Sequence, residues 1–174
     1  LPALSHSPTR TLALATMTKI AMPKATLDAI RAKPLSFDWT SIAIEYRLSS
    51  EFLTEFADYL PWRQVCRHQR MTAKSIYEHA ERMDWTMAAE YQDMTQKTMC
   101  DHAHLLDWSE ACRYQRMSAS MIVSMSDYMD WAMVSAFQKL SPSFIWKWRH
   151  CLQFELIFET ADLVEPDPFP KGYQ

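Results

Sequence analysis

Tryptophan recurs at Trp39, Trp62, Trp85, Trp108 and Trp131, a constant interval of 23 residues, and Phe154 stands where the next would fall. The copies run 38–60, 61–83, 84–106, 107–129 and 130–152, and most share one phrase: Asp-Trp, two variable residues, a small or branched apolar residue, then Tyr/Phe-Gln, one variable residue and Leu/Met-Ser/Thr. A unit this short cannot enclose a core of its own. It must bury its apolar side chains against its neighbours, which restricts the chain to a repeat architecture.

Within each copy the apolar side chains fall at helical intervals. Trp85, Ala88 and Ala89 mark one stripe that Gln92 continues, which is the spacing of a helix face and not the alternation of a strand. Asp38, Asp84, Asp107 and Asp130 precede the tryptophans, where a short carboxylate can accept the free amide hydrogens of a first turn. Pro61 takes that place in the second copy, losing the cap but still able to open a helix. Ser49, Thr72, Thr95, Ser118 and Ser141 then restart the pattern, each a preferred N-cap type. The spacing therefore predicts two short helices per copy, of roughly nine to eleven residues each, too short to persist alone in water.

The expected fold is all-α, an α-solenoid of stacked two-helix hairpins with half-repeats at both ends. Residues 1–25 form an extended basic arm in this reading, 26–163 the repeat array and 164–174 a Pro-rich arm. Thr26 falls at the capping position of the register and opens a first half-repeat that Pro34 ends; Phe154, Ile157 and Phe158 rebuild the first helix of a sixth copy before Pro166, Pro168 and Pro170 stop it. Residues 1–24 carry no acidic side chain. An acid-free, basic start is compatible with a transit peptide, but an arm ordered by lying on the array or on another chain is the favoured expectation.

Composition agrees. The single glycine, Gly172, leaves little means of making the positive-φ turns of β-hairpins. The formal charge of −3 gives no reason to expect nucleic-acid binding overall. Cys66, Cys100, Cys112 and Cys151 show no C-x-x-C pair and read as reduced thiols of an intracellular protein. No run approaches the roughly 18 apolar residues of a membrane span, so no membrane insertion is expected.

Four sets of side chains invite a functional reading. Gln69, Gln92, Gln115 and Gln138 sit on the buried stripe near a helix end, where each amide should tie its hairpin to a neighbouring backbone. Arg47, Arg70, Arg116 and Lys139, with Arg67 and Arg113 nearby, form a basic line suited to an elongated acidic partner; Glu55, Asp58, Glu78, Glu81, Asp101 and Asp127 form an acidic line on the far side. Tyr77, Val123 and Trp146 share an outward position, and with Trp148 they make an apolar ridge that expects either a protein partner or the arm carrying Phe169 and Tyr173. Cys100, His102 and His104 cannot converge on a metal without breaking a helix, and His79 and His102 replace Phe56 and Met125 of other copies, which marks them as core histidines. No phosphate loop, nucleophile elbow or metalloprotease motif occurs, so no enzyme activity, cofactor, metal or small-molecule substrate is expected.

Asp130-Trp131, Phe137-Gln138, Leu140-Ser141 and Phe144-Ile145 resemble the short tandem repeats of proteins of large DNA viruses and some phages, roughly D-W-x-x-I-S-x-Y-Q-x-L-S-x-x-F-I. The resemblance covers 38–152 and departs from the pattern in using Met for Leu and in Pro61 and Ser75. It implies a viral origin and a helical interaction scaffold, located in a virion or the host-cell cytoplasm, and transfers no site. The expected function is a non-enzymatic protein-protein interaction scaffold, a minor structural or assembly component of a virus particle. The alternatives are an inhibitor or adaptor of a host protein and, more weakly, a nucleic-acid-tracking repeat protein.

Overall fold

A computed structural model describes residues 19–160, without the side chains of 158–160. Its architecture is all-α. Helix α1 (Lys24–Ala32) precedes five pairs: α2 (Trp39–Glu45) with α3 (Ser50–Glu55), α4 (Trp62–His68) with α5 (Ala73–Glu78), α6 (Trp85–Tyr91) with α7 (Gln96–Asp101), α8 (Trp108–Tyr114) with α9 (Ala119–Ser124), and α10 (Trp131–Phe137) with α11 (Pro142–Lys147). Helix α12 (Phe154–Thr160) follows. Two two-residue strands, β1 (Ile20–Ala21) and β2 (Tyr46–Arg47), pair in parallel. The chain divides into two compact units, one reaching to Asp107 and the other starting at Trp108.

The caps fall where the sequence puts them. Asp38 accepts from the Thr40 amide, Asp84 from Met87, and Asp130 from both Ala132 and Met133. Ser49, Thr72, Thr95, Ser118 and Ser141 each accept from the amide three residues on. Pro61 opens α4 with no side-chain cap.

Two boundaries differ from expectation. Helix α1 begins at Lys24, so Thr26 lies inside it and Pro23 holds the N-cap in an extended conformation. Proline at that place costs nothing in donors, and the Leu27 amide closes the first turn on the Pro23 carbonyl. The paired helices are also shorter than nine residues. The first of each pair has seven and the second six. Each second helix stops at Phe56, His79, His102, Met125 or Trp148, where the backbone leaves the helical region. Short 3₁₀ turns such as Ala80–Arg82 and Ser126–Tyr128 then carry the chain onward.

At four of these stops, Met125 being the exception, the residue packs an aromatic ring on the tryptophan of its own copy. The residue at the stop lies 17 positions after its tryptophan and turns back onto it. Trp39 meets Phe56 at 5.3 Å between ring centroids, Trp62 meets His79 at 4.7 Å, Trp85 meets His102 at 5.0 Å, and Trp131 meets Trp148 at 5.5 Å. Tyr59 adds a second ring to Trp39 at 5.2 Å, and in the fourth copy, where Met125 holds the stop, Trp108 meets Tyr128 at 5.5 Å.

Inside the first unit α2, α4 and α6 lie side by side in chain order; inside the second, α8, α10 and α12 do the same. The side chains between them are small. Ala43, Cys66, Ala89, Cys112 and Ser135 occupy one register position, all buried, and they let neighbouring helices approach closely. In the first unit Phe52, Leu53, Phe56, Leu60 and Val65 join Ile42 and Leu48 in one cluster, against which Trp39 and Trp62 pack.

Candidate interaction surface

Side chains that could act on a partner must first be separated from those used inside the fold. Gln69 belongs to the second kind. Its Nε2 donates to the Ala43 carbonyl at 2.6 Å and the Tyr46 carbonyl at 2.8 Å, while its Oε1 accepts the Leu48 amide at 3.0 Å. Gln92 repeats the arrangement one copy on, with the carbonyls of Cys66 and Gln69 and the amide of Met71. Gln138 does so in the second unit, with Cys112, Gln115 and Met117. Three of the four hydrogen-bonding positions of a primary amide are thereby filled by the backbone of the preceding copy. The acceptor carbonyl at each lock belongs to the small buried residue of the preceding first helix, whose short side chain leaves the amide room. Gln115 is buried as well.

The tryptophans of the first three copies tie their helix starts to the segment just before. The indole N–H donates to the carbonyl five residues earlier, Pro34 for Trp39, Ala57 for Trp62 and Ala80 for Trp85, at 2.9–3.0 Å. Trp85 and Trp108 are buried, whereas Trp39, Trp62 and Trp131 are half-buried. Trp39 and Trp62 pack against the core cluster of the first unit.

Four of the six residues of the acidic line expected for a partner are engaged inside the fold, three of them between copies. Glu55 forms two bonds of 2.7 Å with Arg31, and Asp58 meets Arg82 at 2.7 Å. Asp101 accepts from the Tyr77 hydroxyl and from Lys97, both at 2.5 Å, which holds its carboxyl below the usual range. Glu78 lies 3.5 Å from Lys74. The Arg31–Glu55, Asp58–Arg82 and Tyr77–Asp101 partners are each 24 residues apart in sequence, so they bridge successive copies at the second helices.

Arg67 and Arg113 leave the basic line for the same reason. Arg67 sits over the Tyr91 ring at 5.5 Å, and Arg113 lies over Tyr114 at 5.1 Å and Phe137 at 5.4 Å. The remaining members, Arg47 and Arg70 in the first unit and Arg116 and Lys139 in the second, are exposed. None of these four enters an ion pair among the described residues. Their sequence places share one register position, which Asp93 alone interrupts.

The outward apolar position divides. Tyr77 is 42% exposed but its hydroxyl is spoken for by Asp101. Val123, 38% exposed, borders a shallow groove with Phe144, Lys147 and Trp148. Trp146 is 68% exposed, with the Arg149 guanidinium 4.8 Å above its ring. Trp148 stacks on Trp131 and Phe144, and its buried indole N–H meets no acceptor among the described residues.

His79 and His102 lie in the tryptophan pairs described above, both buried. Burial pushes the His79 imidazole below its ordinary value. The Nδ1 of His102 lies 2.9 Å from the Thr98 carbonyl and donates to it. Among the described residues no three His, Cys, Asp or Glu side chains converge on a metal-sized space, and no helix is long and apolar enough to cross a membrane. All four cysteines are free thiols; burial raises Cys66 to about 12 and Cys112 to about 11.

Sequence reasoning expected an N-terminal arm lying on the array or on another chain, but not the form its attachment takes just ahead of α1. The Lys19 ammonium reaches the Ala43 carbonyl at 3.0 Å, and Ile20–Ala21 pairs with Tyr46–Arg47. Half-burial lowers Lys19 to about 8. Tyr46 stands at the register position of the glutamines, and in this copy a strand meets the backbone there. A two-residue strand has no alternation to read, so no sequence signal could have found it.

Against family models, curated proteins and solved structures the chain has no match. The likeness to viral and phage repeats therefore rests on the repeat phrase alone.

Proposed function

We propose that the chain is a non-enzymatic helical-repeat scaffold, and that it holds acidic protein surface through Arg47 and Arg70 in the first unit and through Arg116 and Lys139 in the second. The observation that carries this reading is a contrast between charges. Most of the acidic line, Arg67 and Arg113, and the glutamines Gln69, Gln92 and Gln138 are tied up within or between copies, while these four cations are exposed and unpaired among the described residues. An exposed cation that stabilises nothing in its own fold is available to a partner, and two of them in one unit favour a partner of opposite charge through long-range attraction. A cation near a helix C-terminus also gains from the helix dipole, but that gain is small at an exposed site and does not require the same register position to be basic in four copies.

The net charge of −3 favours a protein over nucleic acid as that partner. The likeness of the repeat phrase to those of large DNA viruses and phages supports a place in the assembly of a virus particle.

The test is chemical cross-linking in the native source, followed by mass spectrometry of the peptides joined to the chain, and repeated with Arg47→Glu/Arg70→Glu and Arg116→Glu/Lys139→Glu. The expected result is one stoichiometric protein partner cross-linked through an acidic segment and lost in both charge-reversed pairs, with helix content unchanged by circular dichroism. Undiminished cross-linking in both pairs would contradict the reading. Recovery of nucleic acid instead, released steeply by salt, would replace it with the tracking alternative.

A further inference from the structure

In the first unit, α2 and α4 each run out into a short extended connection whose hydrogen bonds can be followed atom by atom. In the first copy the Tyr46 amide closes on the Ile42 carbonyl, the Tyr46 carbonyl accepts from Gln69 Nε2, and the Leu48 amide donates to Gln69 Oε1. Arg47, the residue between them, is paired with Ala21 of β1. One copy on, Gln69 holds the same backbone conformation, φ −99° and ψ 147° against −98° and 148° at Tyr46. Its amide closes on the Val65 carbonyl, its carbonyl accepts from Gln92 Nε2, and the Met71 amide donates to Gln92 Oε1. Arg70 stands where Arg47 stands, is exposed, and forms no main-chain hydrogen bond among the described residues. An extended residue that offers both its amide and its carbonyl to solvent is a strand edge.

We propose that an extended acidic segment of the partner adds to this edge as a strand, its main chain bonded to the Arg70 amide and carbonyl and its carboxylates beside the Arg70 guanidinium. The inference rests on the reading that the basic position holds an acidic protein, and it adds the form in which that protein is held. Three observations favour this occupant. The first is precedent within the fold. The equivalent edge of the first copy takes a strand, Ile20–Ala21, in parallel, so the backbone at this register position is shaped to pair. The second is charge. Residues 61–77 carry Arg63, Arg67, His68, Arg70 and Lys74 and no acid, and the Lys19 ammonium adds to the positive field at His68. The third is what the edge rejects. Two copies of this chain meeting edge to edge would set Arg70 against Arg70, and like charges placed opposite each other disfavour the pairing. A basic edge thus turns away its own kind and admits a strand of the opposite sign. In strand addition of this type the main-chain bonds supply affinity and the side chains supply selectivity.

The experiment titrates the full, isotope-labelled chain at low salt with a synthetic peptide of about eight residues, a common strand length, in which Glu and Val alternate. Three results are expected. Saturation slows hydrogen exchange at the Arg70 amide by about tenfold or more, and N-methylating the peptide amides weakens binding by about the same factor although its charge is unchanged, as the loss of main-chain bonds requires. Arg70→Glu weakens binding comparably, and since Arg70 is exposed the variant should keep its helix content by circular dichroism. A peptide of alternating Lys and Val should not bind. Binding that is indifferent to N-methylation and leaves Arg70 exchange unchanged would overturn the strand while the acidic reading stands. Protection confined to other amides, equal binding of the Lys peptide, or no binding of the Glu peptide would each overturn the proposal as well. The charge-reversed pairs in the native source judge the acidic reading by themselves, so the two failures are told apart.

Discussion

At the scale of single residues, the repeat explains side chains that look like chemistry in isolation. His79 occupies the place of Phe56 and packs on Trp62 as Phe56 packs on Trp39. Its pKa is lowered first of all by burial, so the folded state prefers the neutral ring. The unfolded chain then binds a proton near the ordinary value of 6.5 that the folded chain resists, and stability falls as pH drops below that value. His68, lowered by burial and by Lys19, acts in the same direction. Replacing His79 by Phe should therefore flatten the fall in melting temperature between about pH 7 and pH 5, a window above the range in which carboxylates titrate. An unchanged slope would mean that His79 protonates freely in the folded chain. The thiols give a second check. Cys66 and Cys112 are buried with raised pKa values, while Cys100 and Cys151 are half-buried. Alkylation of the native protein at neutral pH, read by peptide mass, should mark Cys100 and Cys151 well before the other two, because they are more accessible and burial disfavours the thiolates of Cys66 and Cys112.

At the scale of elements, the glutamine lock decides how one copy grips the next. Gln92→Ala removes three hydrogen bonds and leaves the Cys66 and Gln69 carbonyls and the Met71 amide to be satisfied otherwise; the expected loss is roughly 2–4 kcal/mol in chemical denaturation. Gln92→Glu should lose more at neutral pH, since a carboxylate has no hydrogen to offer two facing carbonyls and would bury a charge between them. If glutamate were tolerated better than alanine, the assigned donor direction would be wrong. Much of this was legible beforehand. Helix starts could be read because Asp, Ser and Thr cap by local chemistry, and the burial of glutamine followed from its place on the apolar stripe. The fate of the acidic line could not be read. Whether Glu55 faces solvent or Arg31 depends on the offset between neighbouring second helices, which no single copy encodes. The indole bonds to Pro34, Ala57 and Ala80 escaped for a related reason, since they depend on the path of a connection and not on a periodicity.

At the scale of the whole molecule, helices of six and seven residues gain little from their own hydrogen bonds, so their persistence must come from neighbours. In the first unit α2, α4 and α6 are joined by Gln69 and Gln92, and in the second Gln138 joins α10 to α8. The central claim is that these between-copy bonds, and not contacts within a hairpin, hold each short helix in place. Residue-resolved hydrogen exchange tests it most directly, through the Leu48 and Met71 amides, which are bonded to the side chains of Gln69 and Gln92 in the following copies. The account predicts that both are protected in the native chain, and that Gln69→Ala speeds exchange at Leu48 by at least about tenfold, the equivalent of roughly 1.4 kcal/mol, with a smaller change at Met117, which bonds to Gln138. A Leu48 amide that exchanges at the rate of an unstructured peptide, or one whose protection survives Gln69→Ala unchanged, would contradict it.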